Sequence, residues 1–221
     1  MVFVLISGRK QSGKDTSADF LVKAFNFNKV SFATELKKYT ANLIKMLFND
    51  HNGYAGFTEK SFESESIKRL RLESRFNSRG ASPRLLLQKF GTDFVRENID
   101  NDFWVKKTED EILRLNKVKS QKLFVISDWR FKSELKYLKR AFKDSKFITI
   151  RVERNYIPVV IKIKYLFSRL FRLSHSSENN LDFFKTDYFI KNNKGVKELC
   201  VELNSVIVGQ PQEAIMEEIK G

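Results

Sequence analysis

The chain has 221 residues with 42% hydrophobic and 31% charged side chains, a globular rather than disordered balance and a length that suits one domain with one substantial core. Its single cysteine, Cys200, excludes an internal disulfide, which fits a reducing, intracellular setting. The formal charge of +14, from 41 Lys and Arg against 27 Asp and Glu, suits polyanionic partners, nucleotides as much as nucleic acid; no zinc-finger spacing or RNP-like aromatic pattern accompanies it, which argues against nucleic-acid binding as the principal function.

Val2–Ser7 (VFVLIS) is a continuous apolar run rich in β-branched residues and reads as a buried strand. It stops at Gly8, and GRKQSGKD leads into TSADFLVKAF, whose apolar spacing is helical. Strand, glycine-bounded loop and helix give the G-x-x-x-x-G-K string the context of a phosphate loop. Its glycines permit backbone angles that let successive N–H groups converge on a polyphosphate. The helix opening near Lys14 aims its positive end at the same place, and Lys14 is expected to reach the β- and γ-phosphates. Residues 1–25 thus read as the phosphate-binding end of a P-loop kinase. The slot after the lysine, usually Ser or Thr for Mg2+, holds Asp15, with Thr16 next. A carboxylate is also a hard oxygen ligand, so either Asp15, directly or through water, or the Thr16 hydroxyl is expected to serve the metal.

Lys29–Ala33 reads as a second strand, and Thr34–Phe48 as a helix with Leu36, Tyr39, Leu43, Met46 and Leu47 near one face. Asn49–Phe57, with Gly53 and Gly56, reads as a loop. Lys60–Ser78, with Lys68, Arg69, Arg71 and Arg75, reads as a solvated helix face. Ser82 followed by Pro83 marks a helix start. Leu85, Leu86 and Phe90 are expected to bury one side of that helix, Gly91 to break it, and Phe94, Val95, Phe103 and Trp104 to resume an apolar pattern. Arg84, Gln88, Asp93 and Arg96 are left for its other faces, as surface residues or ligand contacts.

Leu123–Ser127 (LFVIS) is another buried-strand run, ending in Asp128-Trp129-Arg130-Phe131. An acid directly after such a strand is where an α/β nucleotide enzyme places a metal or substrate ligand. Helix Lys132–Phe142 and strand Lys146–Val152 follow, the strand delivering Arg151 and Arg154 to its carboxyl end. This alternation predicts a parallel sheet with helices on both faces. Tyr156–Leu173 reads as a basic amphipathic helix: a lid or partner-facing element, or one lying on a membrane surface. His175 has no second His or Cys at ligand spacing. Asp187–Ile190 reads as a short last strand, Asn192, Asn193 and Gly195 as a turn, and Val196–Val208 as the closing helix. No apolar run approaches the roughly 18 residues of a membrane span, and Met1 leading straight into a core strand leaves no room for a cleaved leader.

Four separated segments, GRKQSGKDTSADFL, LLLQKFGTDFVRENIDNDFWVKK, VISDWRFKSE and SHSSENNL, resemble in order the landmarks of the bacteriophage-type deoxynucleoside monophosphate kinases of the P-loop NMP kinase superfamily. These are the family's GKDT phosphate loop, its central helix and following turn, its strand-end D-x-R-F-x-x-E element and its late H-x-S-E segment; together the matches cover most of the chain. The resemblance implies one P-loop kinase domain over 1–221, a three-layer α/β/α fold around a central parallel sheet, with a basic lid or insertion at 155–180. It implies transfer of the γ-phosphate of ATP to a deoxynucleoside monophosphate, with Mg2+.

Carried across by position, the resemblance assigns the ATP side to Gly8, Lys10, Ser12, Gly13, Lys14, Asp15 and Thr16, and the metal to Asp15 or Thr16. It assigns the acceptor side to Arg84, Gln88, Asp93, Asp128 and Arg130. Lys14, Asp128, Arg130, Arg151 and Arg154 are its catalytic set, since a loose phosphoryl transition state needs positioning and charge neutralisation rather than a covalent nucleophile. Small-molecule substrates, a homodimer and a cytoplasmic setting, the host's for a virus-encoded chain, are implied with it. Trp129 stands where the family carries smaller residues, which implies a different base pocket. Animal phosphomevalonate kinases share a related loop and strand-end D-x-R, so an isoprenoid phosphate is an alternative acceptor. A non-catalytic P-loop protein that binds nucleotide or nucleic acid is the alternative outside enzymes.

Overall fold

The computed structural model describes residues 1–48, 54–72, 81–154, 181 and 184–209. The basic stretch Tyr156–Leu173, the 155–180 lid, His175 and nearly all of SHSSENNL lie outside the described residues, as do 49–53, 73–80 and 210–221. The chain divides into two compact units, one formed by Met1–Ser31 with Glu109–Gly221, the other by Phe32–Thr108.

The first unit is built on five strands: β1 (Val2–Ser7), β2 (Asn28–Val30), β3 (Leu123–Ile126), β4 (Lys146–Glu153) and β5 (Tyr188–Lys191). They lie in the order β2-β3-β1-β4-β5, every pair parallel. β1 is therefore central, with Leu5 beside Ile126 of β3 and Ser7 beside Arg151 of β4. A parallel sheet is covered on both faces, which is why β1 and β3 read as unbroken apolar runs. On one face, Val4, Ile6, Val125, Ile150 and Val152 pack with Ala18 and Leu21 of helix α1 (Lys14–Phe25) and with Leu199 and Leu203 of the closing helix (Val196–Val208). On the other, Phe3 stacks against Phe124 and Phe147 and meets Phe142 at the end of the Lys132–Ala141 helix. The result is a three-layer α/β/α fold around a central parallel sheet.

The boundaries of β2 to β5 move by one to three residues from the sequence reading. β2 stops at Val30 rather than Ala33, because Ser31 turns its hydroxyl to Asp128 and Phe32 is already buried ahead of a helix that starts at Ala33. β5 starts at Tyr188 because the Asp187 carboxylate is engaged by the N–H and hydroxyl of Thr149 (2.8 and 2.6 Å).

The second unit is helical. Helix α2 (Ala33–Phe48) buries Thr40, Ala41, Ile44 and Phe48, with Phe57, Phe62 and Leu72 completing that core. Tyr39, Met46 and Leu47, expected on the buried face, are instead exposed (44%, 75% and 50%). Of Lys60–Ser78, the described part forms a short 3-10 turn and helix α3 (Glu65–Arg69). Helix α4 (Pro83–Gln88) begins as its sequence requires, with Pro83 in the first turn and Ser82 Oγ accepting the Leu85 N–H (3.2 Å). Leu85, however, is exposed. Nor does Gly91 break the helix: the chain continues from α4 through a π-helical stretch, Lys89–Arg96. Glycine permits a close approach there: an added Cβ would lie 2.6 Å from Leu36 Cδ2 of α2, and that side chain would have to shift. The Gly91 carbonyl accepts the indole N–H of Trp104 (2.9 Å), which tethers this stretch to helix α5 (Phe103–Lys119). Val95 and Trp104 are buried as expected, whereas Phe94 is exposed.

Candidate active site

The loop between β1 and α1 has the backbone that its glycines allow. Gly8 and Gly13 sit at φ +149° and +109°. An added Cβ would lie 2.2 Å from the Val152 carbonyl oxygen at Gly8 and 2.5 Å from Asn192 Nδ2 at Gly13, so no larger residue fits either position. Within the loop the Ser12 N–H donates to the Arg9 carbonyl (3.2 Å). Asn192, just past β5, steadies the loop from behind: Nδ2 donates to the Ser12 carbonyl (2.8 Å), and its own N–H donates to Glu153 (2.7 Å). α1 then opens on Gly13, whose carbonyl accepts both the N–H and the hydroxyl of Ser17 (2.8 and 2.9 Å). The positive end of α1 lies at this loop, an arrangement that favours an anion. Ser12 Oγ is buried with no protein partner among the described residues, a donor suited to an anion oxygen.

Charged groups converge on Lys14. Its Nζ donates to the Arg9 carbonyl (3.1 Å), folding the side chain over the loop. Burial pushes its pKa below the ordinary lysine value; the Arg130 charge acts in the same direction, while Asp15 and Asp128 oppose it. The loop and the end of β3 therefore share one electrostatic neighbourhood. Asp15 accepts a hydrogen bond from Ser127 (2.8 Å) and lies 3.8 Å from Lys29 Nζ. Asp128 accepts one from Ser31 (2.7 Å). Arg130 is exposed, and its backbone is fixed by the buried Glu134 carboxylate, which takes the N–H groups of Arg130 and Phe131 (3.0 Å each).

The donor set fits Mg2+. This cation takes hard oxygens, usually one or two carboxylates, with phosphate oxygens and water filling its shell. Asp15, Thr16 and Asp128 supply such oxygens in and beside the loop, and Asp15 is well exposed. Among the described residues, no group of three or more His, Cys, Asp or Glu forms a separate metal cluster.

The other sequence-derived candidates are distributed as follows. Lys10 is an exposed loop residue and Thr16 lies half-buried in the first turn of α1. Arg151 is buried in β4, donating Nε to Glu153 (2.7 Å) and Nη1 to the Leu181 carbonyl (2.6 Å). Arg154 is exposed just beyond β4. Arg84, Gln88 and Asp93 belong to the second unit, where Arg84 lies 3.9 Å from Glu65 and Asp93 pairs with Lys89 at 2.8 Å. Trp129 does not line an open pocket: it is 2% exposed, donates to the Phe131 carbonyl (2.8 Å) and packs edge-on against Phe184. Ser31, Ser127 and Asn192 had no site role in the sequence reading, and Glu134 entered it only as the last acid of the D-x-R-F-x-x-E element. Only Glu134 carried a local signal, as an acid placed to cap a helix start; the other three act across the fold.

The match to known proteins follows the same outline. The family model of deoxynucleotide monophosphate kinases matches residues 2–77 and 72–203. A protein of Acanthamoeba polyphaga mimivirus that bears the deoxynucleotide monophosphate kinase name is 34% identical over 101 residues, 46% of this chain and 46% of its own length; the match thus spans less than half of that curated relative. Among solved structures, the dephospho-CoA kinase from Campylobacter jejuni aligns over 96% of both chains with a TM-score of 0.45 and 18% identity. Among the described residues no helix is long and apolar enough to cross a membrane. With the family model covering most of its length and a phosphate loop set against the end of β3, this chain belongs to the deoxynucleotide monophosphate kinase family.

Proposed function

We propose that this chain transfers the γ-phosphoryl group of ATP to a deoxynucleoside monophosphate, giving ADP and the deoxynucleoside diphosphate. The observation that carries this reading is the convergence of Lys14, Asp15, Asp128 and Arg130 around a glycine-bounded loop at a helix N-terminus. In the reaction an oxygen of the acceptor's phosphate bonds to the γ-phosphorus while the bond to the β–γ bridging oxygen breaks. The loop N–H groups and Lys14 hold the donor phosphates, and Arg130, backed by Glu134, neutralises charge on the group in flight. Mg2+, held through Asp15 or Thr16, offsets charge on the β- and γ-oxygens when bound. Asp128 is assigned to the acceptor side with Arg130, and Arg84, Gln88 and Asp93 of the second unit are assigned acceptor contacts. At the end of β4, Arg154 has the exposed guanidinium for charge neutralisation, and Arg151 acts through its bonded frame. Small-molecule substrates, a cytoplasmic setting and a homodimer complete the reading.

The test is ADP release from ATP and Mg2+, assayed separately with each deoxy- and ribonucleoside monophosphate and with phosphomevalonate. Turnover on one or more deoxynucleotides is expected, and Lys14→Ala is expected to lower it by at least about 100-fold while the protein stays folded. Silence on every nucleotide, or full activity in Lys14→Ala, would overturn the assignment; turnover on phosphomevalonate alone would change the acceptor.

A further inference from the structure

This inference rests on the kinase reading and concerns how the chain holds Asp15. In the general phosphate-loop arrangement, the loop supplies a Ser or Thr hydroxyl to the metal, and a strand end supplies a carboxylate. Here the loop side carries the carboxylate, Asp15, in the first turn of α1. The residue directly after β3 carries a hydroxyl, Ser127. The two side chains meet, Ser127 Oγ donating to Asp15 Oδ1 at 2.8 Å across 112 positions of sequence.

Burial differs sharply between them. Ser127 is 5% exposed, at the end of a strand whose residues are all buried, so its hydroxyl is a fixed point. The Asp15 side chain is 76% exposed and would otherwise sample several rotamers. Among the described residues, the side-chain contacts of Asp15, to Ser127 and to Lys29 at 3.8 Å, fall on Oδ1. Among the described residues Oδ2 has no such partner and is the oxygen left to face a cation. Asp128 is engaged separately by Ser31, so it does not compete for the Ser127 proton.

We propose that Ser127 is a positioning residue for the metal: the loop carries a carboxylate where a hydroxyl is usual, and Ser127 holds that carboxylate, Asp15, with Oδ2 toward the Mg2+ of the bound nucleotide. A partner that orients a metal ligand from behind is typically worth about 10- to 100-fold in metal affinity. Its loss leaves the ligand in place but unaimed, so binding of nucleotide without metal is unaffected.

The experiment measures, by calorimetry on the full chain, the affinity for a non-hydrolysable ATP analogue with Mg2+ and with EDTA, with Mn2+ paramagnetic resonance as a second readout. Ser127→Ala is expected to lose about tenfold of the Mg2+-dependent gain in affinity while its EDTA value stays at that of the wild type. Asp15→Ser is expected to lose at least as much, and Asp15→Ser combined with Ser127→Asp to regain most of that loss, because the same contacting pair of positions then supplies the carboxylate from the other side. Should Ser127→Ala not fold, Asp15→Ser and the combined variant carry the test. Mg2+ dependence within about twofold of wild type in Ser127→Ala, or a combined variant no better than Asp15→Ser, overturns the positioning role and leaves the kinase reading intact. A wild-type protein that binds the analogue equally well with and without Mg2+ removes both.

Discussion

Lys14 is placed where its charge is useful and uncomfortable. Burial and Arg130 depress its proton affinity, with Asp15 and Asp128 offsetting part of the effect. In the window between that depressed pKa and the ordinary lysine value, the unfolded chain binds more protons than the folded one. Stability contributed through Lys14 therefore rises with pH across this window, the reverse of an ion-paired lysine. Nucleotide binding has the opposite requirement, because a polyphosphate favours the charged form. ATP is expected to bind with proton uptake in the same window, and to weaken as pH rises through the depressed pKa. Calorimetry in two buffers of different ionisation enthalpy measures that uptake directly. It should vanish in Lys14→Met, which is also expected to keep or gain thermal stability without nucleotide. An unchanged proton count in Lys14→Met would assign the titration to another group.

Helices and strands differ in how far local sequence specified them. β1 and β3 were legible because strands covered on both faces must be apolar throughout, and α4 because Ser82 and Pro83 are chemically suited to a helix start. α2 carries two apolar stripes, Leu36–Tyr39–Leu43–Met46 and Ala41–Ile44–Phe48; periodicity shows that a face exists, but only packing with Phe57, Phe62 and Leu72 selects the second. Gly91 was misread for a related reason. Its value lies in a neighbour 55 positions earlier, Leu36, and in a carbonyl taken by Trp104, neither of which is a local property. Gly91→Ala is accordingly expected to destabilise by about 1–3 kcal/mol through overpacking against Leu36. Leu36→Ala should relieve part of that loss, whereas in separate pockets the two costs would add. Trp104→Phe, which deletes the indole N–H and leaves the Gly91 carbonyl without that donor, is expected to cost about 1–3 kcal/mol. Urea unfolding of the three variants and the double variant checks both statements.

At the scale of the whole molecule, the alternation of strands and helices announced a parallel α/β sheet, but not the order that puts β1 between β3 and β4. That order brings Ser127 to Asp15 and Asn192 to Ser12 across 112 and 180 positions, which is why the residues steadying the loop were not readable from it. The +14 charge was readable, and it has a consequence for any anionic substrate. A positive field concentrated at a site speeds the approach of polyanions and is screened over a Debye length of about 8–10 Å near physiological salt. Lys14 and Arg130 share one electrostatic neighbourhood with Asp15 and Asp128, and Arg9 and Lys10 are exposed in the adjoining loop, so salt dependence tests whether the positive excess is felt at the loop. The association rate of ATP is expected to fall by about tenfold between low salt and roughly 0.5 M salt, while kcat, measured with both substrates saturating, changes little. Stopped-flow binding across the salt series, with a neutral osmolyte as control, separates screening from bulk solvent effects. Reversing the exposed pair, Arg9→Glu with Lys10→Glu, should flatten the salt dependence and slow association while leaving the sheet and its stability unchanged. A rate that ignores salt in the wild type would mean that the net charge of this chain is not aimed at its phosphate loop.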